Sequence, residues 1–226
     1  MGNKIGFIVG VLALLGLLVG GVYLYTATGD DQPEYGPQMV EDGIYGKVKD
    51  GAGADVDMLD GEEVPGELPA SEYENFETYT KDKEGITIKY PTDWVSTPGT
   101  GPTAVVFTSP LQGNSDSYQE TVTVAVQDIS ATELSLDEFS DQAMKALPNY
   151  MENLQIMKQG EAELDGELAK TIHFSGTYPA TDYLTETYQI YTVYDGYVYI
   201  ITYTGMPDDF EHLMPTVGKM ISSFHF

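Results

Sequence analysis

The chain of 226 residues has no cysteine and no arginine, only three histidines and a single tryptophan. Without cysteine there is no disulfide scaffold, no Cys-ligated zinc, no iron–sulfur cluster, no thiolate nucleophile and no diacylglyceryl-cysteine anchor. Without arginine there is no guanidinium fork for bidentate capture of phosphate or carboxylate. Ten basic residues, all Lys, face 36 acids, for a formal net charge of −26. That balance argues against nucleic acid as a direct partner, because phosphate contacts need clustered positive charge. His173, His212 and His225 stand alone, with no H-E-x-x-H-type ligand spacing. His173 falls in a strand pattern and reads as a surface or sheet residue. No G-x-S-x-G elbow and no phosphate loop occurs. A Ser–His–Asp set could only be assembled by the fold from distant residues, which makes an enzyme the weakest of the functional readings.

What is present divides into three zones. Residues 1–28 carry Lys4 and no acid; residues 29–77 carry 15 acids and two Lys; residues 78–226 carry 21 acids and seven Lys. The expected organisation is an N-terminal signal anchor over 1–28, an acidic disordered linker over 29–75 and a folded domain over 76–226.

Residues 5–25 form a run of 21 without a charge. A helix of that length spans roughly 30 Å, the thickness of a hydrocarbon core. The run exceeds the apolar region of an ordinary cleaved signal, and Thr26-Ala27-Thr28-Gly29 makes a poor cleavage site. Tyr23 and Tyr25 fall where interfacial aromatics are expected. The sequence therefore predicts one transmembrane helix, with the lipid bilayer as its partner. Lys4 orients the N-terminus toward the cytoplasm and the rest of the chain toward the extracytoplasmic side. Gly6 and Gly10, like Gly16 and Gly20, are spaced GxxxG, which allows weak self-association of such helices.

The linker holds Pro33, Pro37, Pro65 and Pro69, many Gly and few apolar residues. Such a stretch cannot bury enough surface to offset chain entropy, and its like charges extend it. Within it, Asp55, Asp57, Asp60 and Glu62 crowd together, the oxygen-rich chemistry that Ca²⁺ or Mn²⁺ favours. An EF-hand would need the third Asp one position earlier. The expected cofactor is none, with a Ca²⁺- or Mn²⁺-responsive acidic module as the alternative.

From about residue 75 the pattern becomes that of a packed domain. Residues 85–90, 104–108 and 121–127 read as strands. Ser135 with Glu138 three residues on is a capping box, and Leu136, Phe139, Ala143, Ala146 and Leu147 form one apolar helical face. Residues 154–160 and 169–175 read as strands on either side of a turn at Asp165-Gly166. Residues 187–194 and 197–204 are the plainest hairpin, turning at Asp195-Gly196. A last helix begins near Pro207, with Phe210, Met214, Val217 and Ile221 inward and Pro215 expected to divide it. Residues 223–226 read as a short closing strand. Hairpins dominate, so the expected class is α/β of the α+β type, a mainly antiparallel sheet with helices covering it.

Tyr90-Pro91-x-x-Trp94, then Val105-Val106-Phe107-x-Ser109-Pro110, the capped helix from Ser135, the Asp195-Gly196 hairpin ending in Tyr199, and Ser222-Ser223-Phe224 occur in that order. In these residues the chain resembles the PsbP family, named for an extrinsic protein of the photosystem II oxygen-evolving complex. The resemblance implies an α-β-α sandwich with a central antiparallel sheet. It also implies accessory binding or assembly at a membrane face rather than catalysis. The photosynthetic protein docks through a basic N-terminal region; an apolar anchor and acidic spacer stand there in this chain, so photosystem docking is not carried over. The expected partner is an extracytoplasmic protein or small ligand. The candidate contact residues are the tyrosines of the hairpin, Tyr188, Tyr191, Tyr194, Tyr197 and Tyr199, together with Trp94. Tyr combines a large apolar ring with a hydrogen-bonding tip at low rotamer cost, which suits partner or glycan binding.

Overall fold

The computed structural model describes residues 70–226, apart from 114, 115, 133 and 180–182. The expected anchor over 5–25, its GxxxG pairs, the acidic linker up to residue 69 and the acids Asp55, Asp57, Asp60 and Glu62 lie outside the described residues. Among the described residues, no helix is long and apolar enough to cross a membrane.

A 3-10 turn at Ala70–Tyr73 leads into β1 (Phe76–Lys81), β2 (Ile86–Pro91), β3 (Val95–Pro98), β4 (Thr103–Thr108) and β5 (Thr121–Asp128). Helix α1 (Leu136–Ala146) follows, then β6 (Glu152–Leu164), β7 (Glu167–Thr177), β8 (Leu184–Tyr194), β9 (Tyr197–Gly205) and α2 (Pro207–Ser222). β3 to β9 form one sheet in the order β3-β4-β5-β9-β8-β7-β6, while β1 and β2 make a separate ribbon. Every pairing is antiparallel. The β8–β9 hairpin turns at Asp195 (φ 45°) and Gly196 (φ 79°), the two positive-φ positions that a type I′ turn requires. Asp165 (φ 52°) and Gly166 (φ 80°) turn β6 into β7 in the same way.

The period-two alternation of the strands divides the core in two. On one face Val122, Val124, Ile190, Ile201 and Tyr203 pack under α2 and the β1–β2 ribbon, against Ile86, Ile88, Phe210, Val217 and Met220. On the other, Ala125, Ile172, Phe174, Val198 and Ile200 pack under α1, against Phe139, Ala143 and Ala146. The result is the α-β-α layering expected, with the ribbon as an added cover beside α2.

Local chemistry explains both helices. Ser135 Oγ accepts from the Glu138 amide at 3.3 Å, and the Ser135 amide donates to Glu138 Oε2 at 3.0 Å, a complete capping box. α2 starts with Pro207 in its first turn and has no side-chain cap. Pro215 does not divide it, contrary to expectation: the helix runs on to Ser222. Pro215 and Glu211, whose carbonyl loses its partner, are both exposed, so water can satisfy that carbonyl. The closing strand over 223–226 reduces to one bridge, Thr87 with His225.

Candidate functional site

β5 and β9 pair from Thr121 with Thr204 at one end to Asp128 with Tyr197 at the other, which separates the two ends of the sheet by about 23 Å. One end carries the β8–β9 turn and the chain terminus. The other carries the end of β2, the end of β4 and the start of α2.

At this second end lies a cleft of about 470 Å³. Pro91, Thr92, Asp93 and Trp94 line it from the turn after β2, and Ser109, Pro110 and Gln112 from the loop after β4. Asn75 and Phe76 come from the start of the ribbon, and Leu213 and Thr216 from α2. The turn is shaped by its backbone: the Trp94 amide donates to Pro91 O at 3.0 Å, and the Thr92 amide to Asn75 O at 2.9 Å. Trp94 is 6% exposed, seated in the core at the cleft's edge.

The opposite wall is a polar knot. Ser109 donates its amide to Glu120 O at 2.9 Å and its hydroxyl to Glu120 Oε2 at 2.9 Å. The same hydroxyl accepts from the Glu120 amide at 2.9 Å. Asp116 accepts from the amides of Gln112 at 2.6 Å and Tyr118 at 3.0 Å, which pins the rest of the loop. Glu120 is 0% exposed, and its Oε1 has no hydrogen-bond partner. Burial pushes this carboxyl above its ordinary range, and the nearby Asp116 and Asp209 push the same way against the Ser109 hydrogen bond. The hydroxyls of Tyr118 and Tyr203 are pushed up by burial and then by neighbouring groups that include Glu120. The knot therefore favours a neutral acid and neutral phenols. It braces the loop, since Ser109 is buried and its hydroxyl is committed to Glu120.

The hairpin tyrosines separate. Tyr188 sits in the core under α2 and Tyr191 in the core under α1, each 2% exposed. Burial raises Tyr188 to about 12, and the Tyr191 hydroxyl is 2.8 Å from Ser140 Oγ. They fill the interior and offer no contact surface. Tyr194 and Tyr197 are 43% and 38% exposed at the turn. Behind them Tyr199 stacks on Phe226 at 4.3 Å, and Phe226 meets Tyr194 at 5.0 Å. The fold thus gathers three of the five tyrosines and leaves Trp94 at the opposite end.

The histidines do not converge. His173 is buried and not on the surface, stacked on Phe210 at 4.9 Å and paired with Glu186 at 3.0 Å. His225 pairs with Asp165 at 2.7 Å, and His212 is exposed on α2. Among the described residues, no three His, Cys, Asp or Glu side chains are placed to hold a metal ion. The cleft itself was only partly visible in the sequence. Pro91, Trp94, Ser109 and Pro110 stand in recognisable motifs, but Asp93, Gln112, Leu213, Thr216 and the buried Glu120 carry no spacing signal.

No curated protein matches the chain. The solution structure of cyanobacterial PsbP (CyanoP) from Synechocystis sp. PCC 6803 superposes with a TM-score of 0.51 at 16% identity, over 67% of this chain and 92% of that one. LpqN of Mycobacterium tuberculosis, described as involved in cell envelope biogenesis, gives 0.49 at 16% identity over 62% and 81%. The Ran-binding protein Mog1p of Saccharomyces cerevisiae gives 0.48 at 10% identity over 67% and 95%. The CyanoP superposition shows the fold. The family model for PsbP-like protein matches residues 60–226, well over half of the chain, and the chain belongs to that family.

Proposed function

We propose that this chain is a membrane-anchored accessory protein whose PsbP-like domain stands outside the cytoplasm and binds a ligand in the cleft beside Trp94 without transforming it. The observation that carries the reading is the cleft itself, which collects Pro91, Trp94, Ser109 and Pro110, residues from two separate family-like motifs, around one volume of about 470 Å³. That volume falls within the roughly 300–1,000 Å³ of small-ligand sites. Phe76, Pro91, Trp94 and Leu213 offer apolar wall, and Asn75, Thr92, Gln112 and Thr216 offer hydrogen bonds to orient an occupant. A holding role is favoured over a reacting one because the Ser109 hydroxyl is committed to Glu120 and the lining residues include no histidine. The charge-free run over 5–25 supports the anchor, and Lys4 before it supports its orientation. The acids Asp55, Asp57, Asp60 and Glu62 support a second reading, a response to Ca²⁺ or Mn²⁺.

Two experiments test this. Protease added to intact cells should cut within 29–75 and free the domain; release of the intact chain into the medium would sink the anchor. For binding, the thermal midpoint of the full chain in detergent micelles should rise with a ligand, and Thr216→Phe, which fills the cleft, should abolish the rise. An equal rise in that variant would place binding elsewhere. A midpoint unmoved by Ca²⁺ or Mn²⁺ would remove the second reading.

A further inference from the structure

The charge around the cleft narrows the chemistry of its occupant. Asp93 is the one charged side chain among the described lining residues, and it is exposed. No lysine joins it. Lys89 lies over the Tyr73 ring at 4.3 Å, Lys81 is held by Glu84 at 3.3 Å, Lys170 by Asp137 and Lys219 by Glu72 at 2.9 Å, none of them a lining residue. The wall opposite Asp93 is backed by further acid. Asp116 is tied to the amide of Gln112, itself a lining residue. An anion placed here would face Asp93 with no cation among the described lining residues to answer it. A neutral occupant would leave that charge unused. A cation would be drawn by Asp93, with Trp94 and Phe76 beside it as apolar lining.

We infer that the cleft takes a small organic cation, a primary ammonium or guanidinium on a short carbon chain, with Asp93 as its counter-ion and Trp94 and Phe76 as its apolar wall. This rests on the proposed reading that the cleft binds a ligand, and it names the class. The volume admits such a molecule whole.

The molecule carries its own reporter, because Trp94 is the single tryptophan of the chain. The full chain in detergent micelles is titrated with agmatine and cadaverine, and in parallel with neutral 1,5-pentanediol, anionic glutarate and the blocked peptide acetyl-Gly-Lys-Gly-amide. The expected result is a saturable change in Trp94 emission with the two free cations and none with pentanediol or glutarate. In Asp93→Asn the affinity should fall about tenfold or more, the scale of one lost charge-assisted contact. In Asp141→Asn, which removes an exposed acid on α1, it should stay within about twofold, because exposed charges far from the site are screened. Unchanged thermal midpoints would confirm that both variants fold. A pentanediol response equal to agmatine's, or full affinity in Asp93→Asn, would overturn the cationic assignment while leaving cleft binding intact. A response to the peptide but to neither free cation would overturn the small-ligand assignment in favour of a basic protein segment. Silence of Trp94 toward every probe would overturn the inference, and ligand-induced stabilisation that Thr216→Phe abolishes would still uphold the broader reading.

Discussion

At the β8–β9 turn the sheet is closed by rings and by the chain terminus, whereas some 23 Å away at the Trp94 end it is left open over a polar wall. The closed end is built from Tyr199, Phe224 and Phe226 in mutual contact. It is stapled by Asp165, which accepts from the Phe226 amide at 2.9 Å and pairs with His225 at 2.7 Å. The open end holds one tryptophan, one exposed carboxylate and a buried Ser109–Glu120 pair. Aromatic density is thus a poor guide to binding in this molecule. Rings pack at both ends, Tyr199 on Phe226 at one and Tyr203 on Phe210 at the other, and what sets the cleft apart is the polar pair buried in its wall.

The comparison can be broken at several points. Phe224→Ala should have the largest effect, a loss of about 3–5 kcal/mol in chemical denaturation, because the side chain is fully buried among rings. A loss under about 1 kcal/mol would mean that the closed end is not a seal. Next is Gly205→Ala at the open end, where a Cβ would meet Glu120 Cγ at 2.9 Å and the Tyr203 hydroxyl at 3.0 Å. The crowding should cost roughly 1–3 kcal/mol by the same measurement and loosen the wall behind Ser109. A neutral outcome would show that the knot gives freely.

Glu120→Gln sharpens the contrast through pH. The unfolded carboxyl titrates near its ordinary 4.5, while burial holds the folded one higher. Between those two values the native state keeps a proton that the unfolded chain has lost, so the wild type loses stability as pH rises through that window. The variant has no such titration. Its stability relative to the wild type should therefore increase from pH 4.5 upward and level off above the folded value. A constant difference between pH 4 and pH 8 would contradict the buried-acid account. The smallest expected effect is that of Asp165→Asn, which weakens the staple but suits the left-handed turn (φ 52°). It should cost about 1 kcal/mol and speed amide exchange at Phe226.

The legible parts of the fold were those with local chemistry. Ser135 and Glu138 announced α1, and Asp195-Gly196 announced the hairpin, because caps and type I′ turns are specified by neighbours in sequence. β1 and β3 were missed because they lie largely exposed, so they lack the alternation that a buried face imposes. Pro215 misled because its penalty depends on whether water reaches the freed carbonyl. The tyrosines misled for a similar reason. The strand period places Tyr188 and Tyr191 on opposite faces, but sequence does not say that both faces are covered. Trp94 was legible as a candidate through its motif. Asp93, Thr216 and Glu120 were not, since a cleft is assembled from β2, the β4–β5 loop and α2 only after folding.

The central claim is that the open end binds and the closed end seals. The direct test places the same photo-crosslinking amino acid at Thr92, on the cleft, or at Tyr197, on the closed end, of the full chain in its native cells. The account predicts a discrete adduct from Thr92 that an excess of agmatine suppresses, and none from Tyr197. An adduct from Tyr197 with nothing from Thr92 would contradict it.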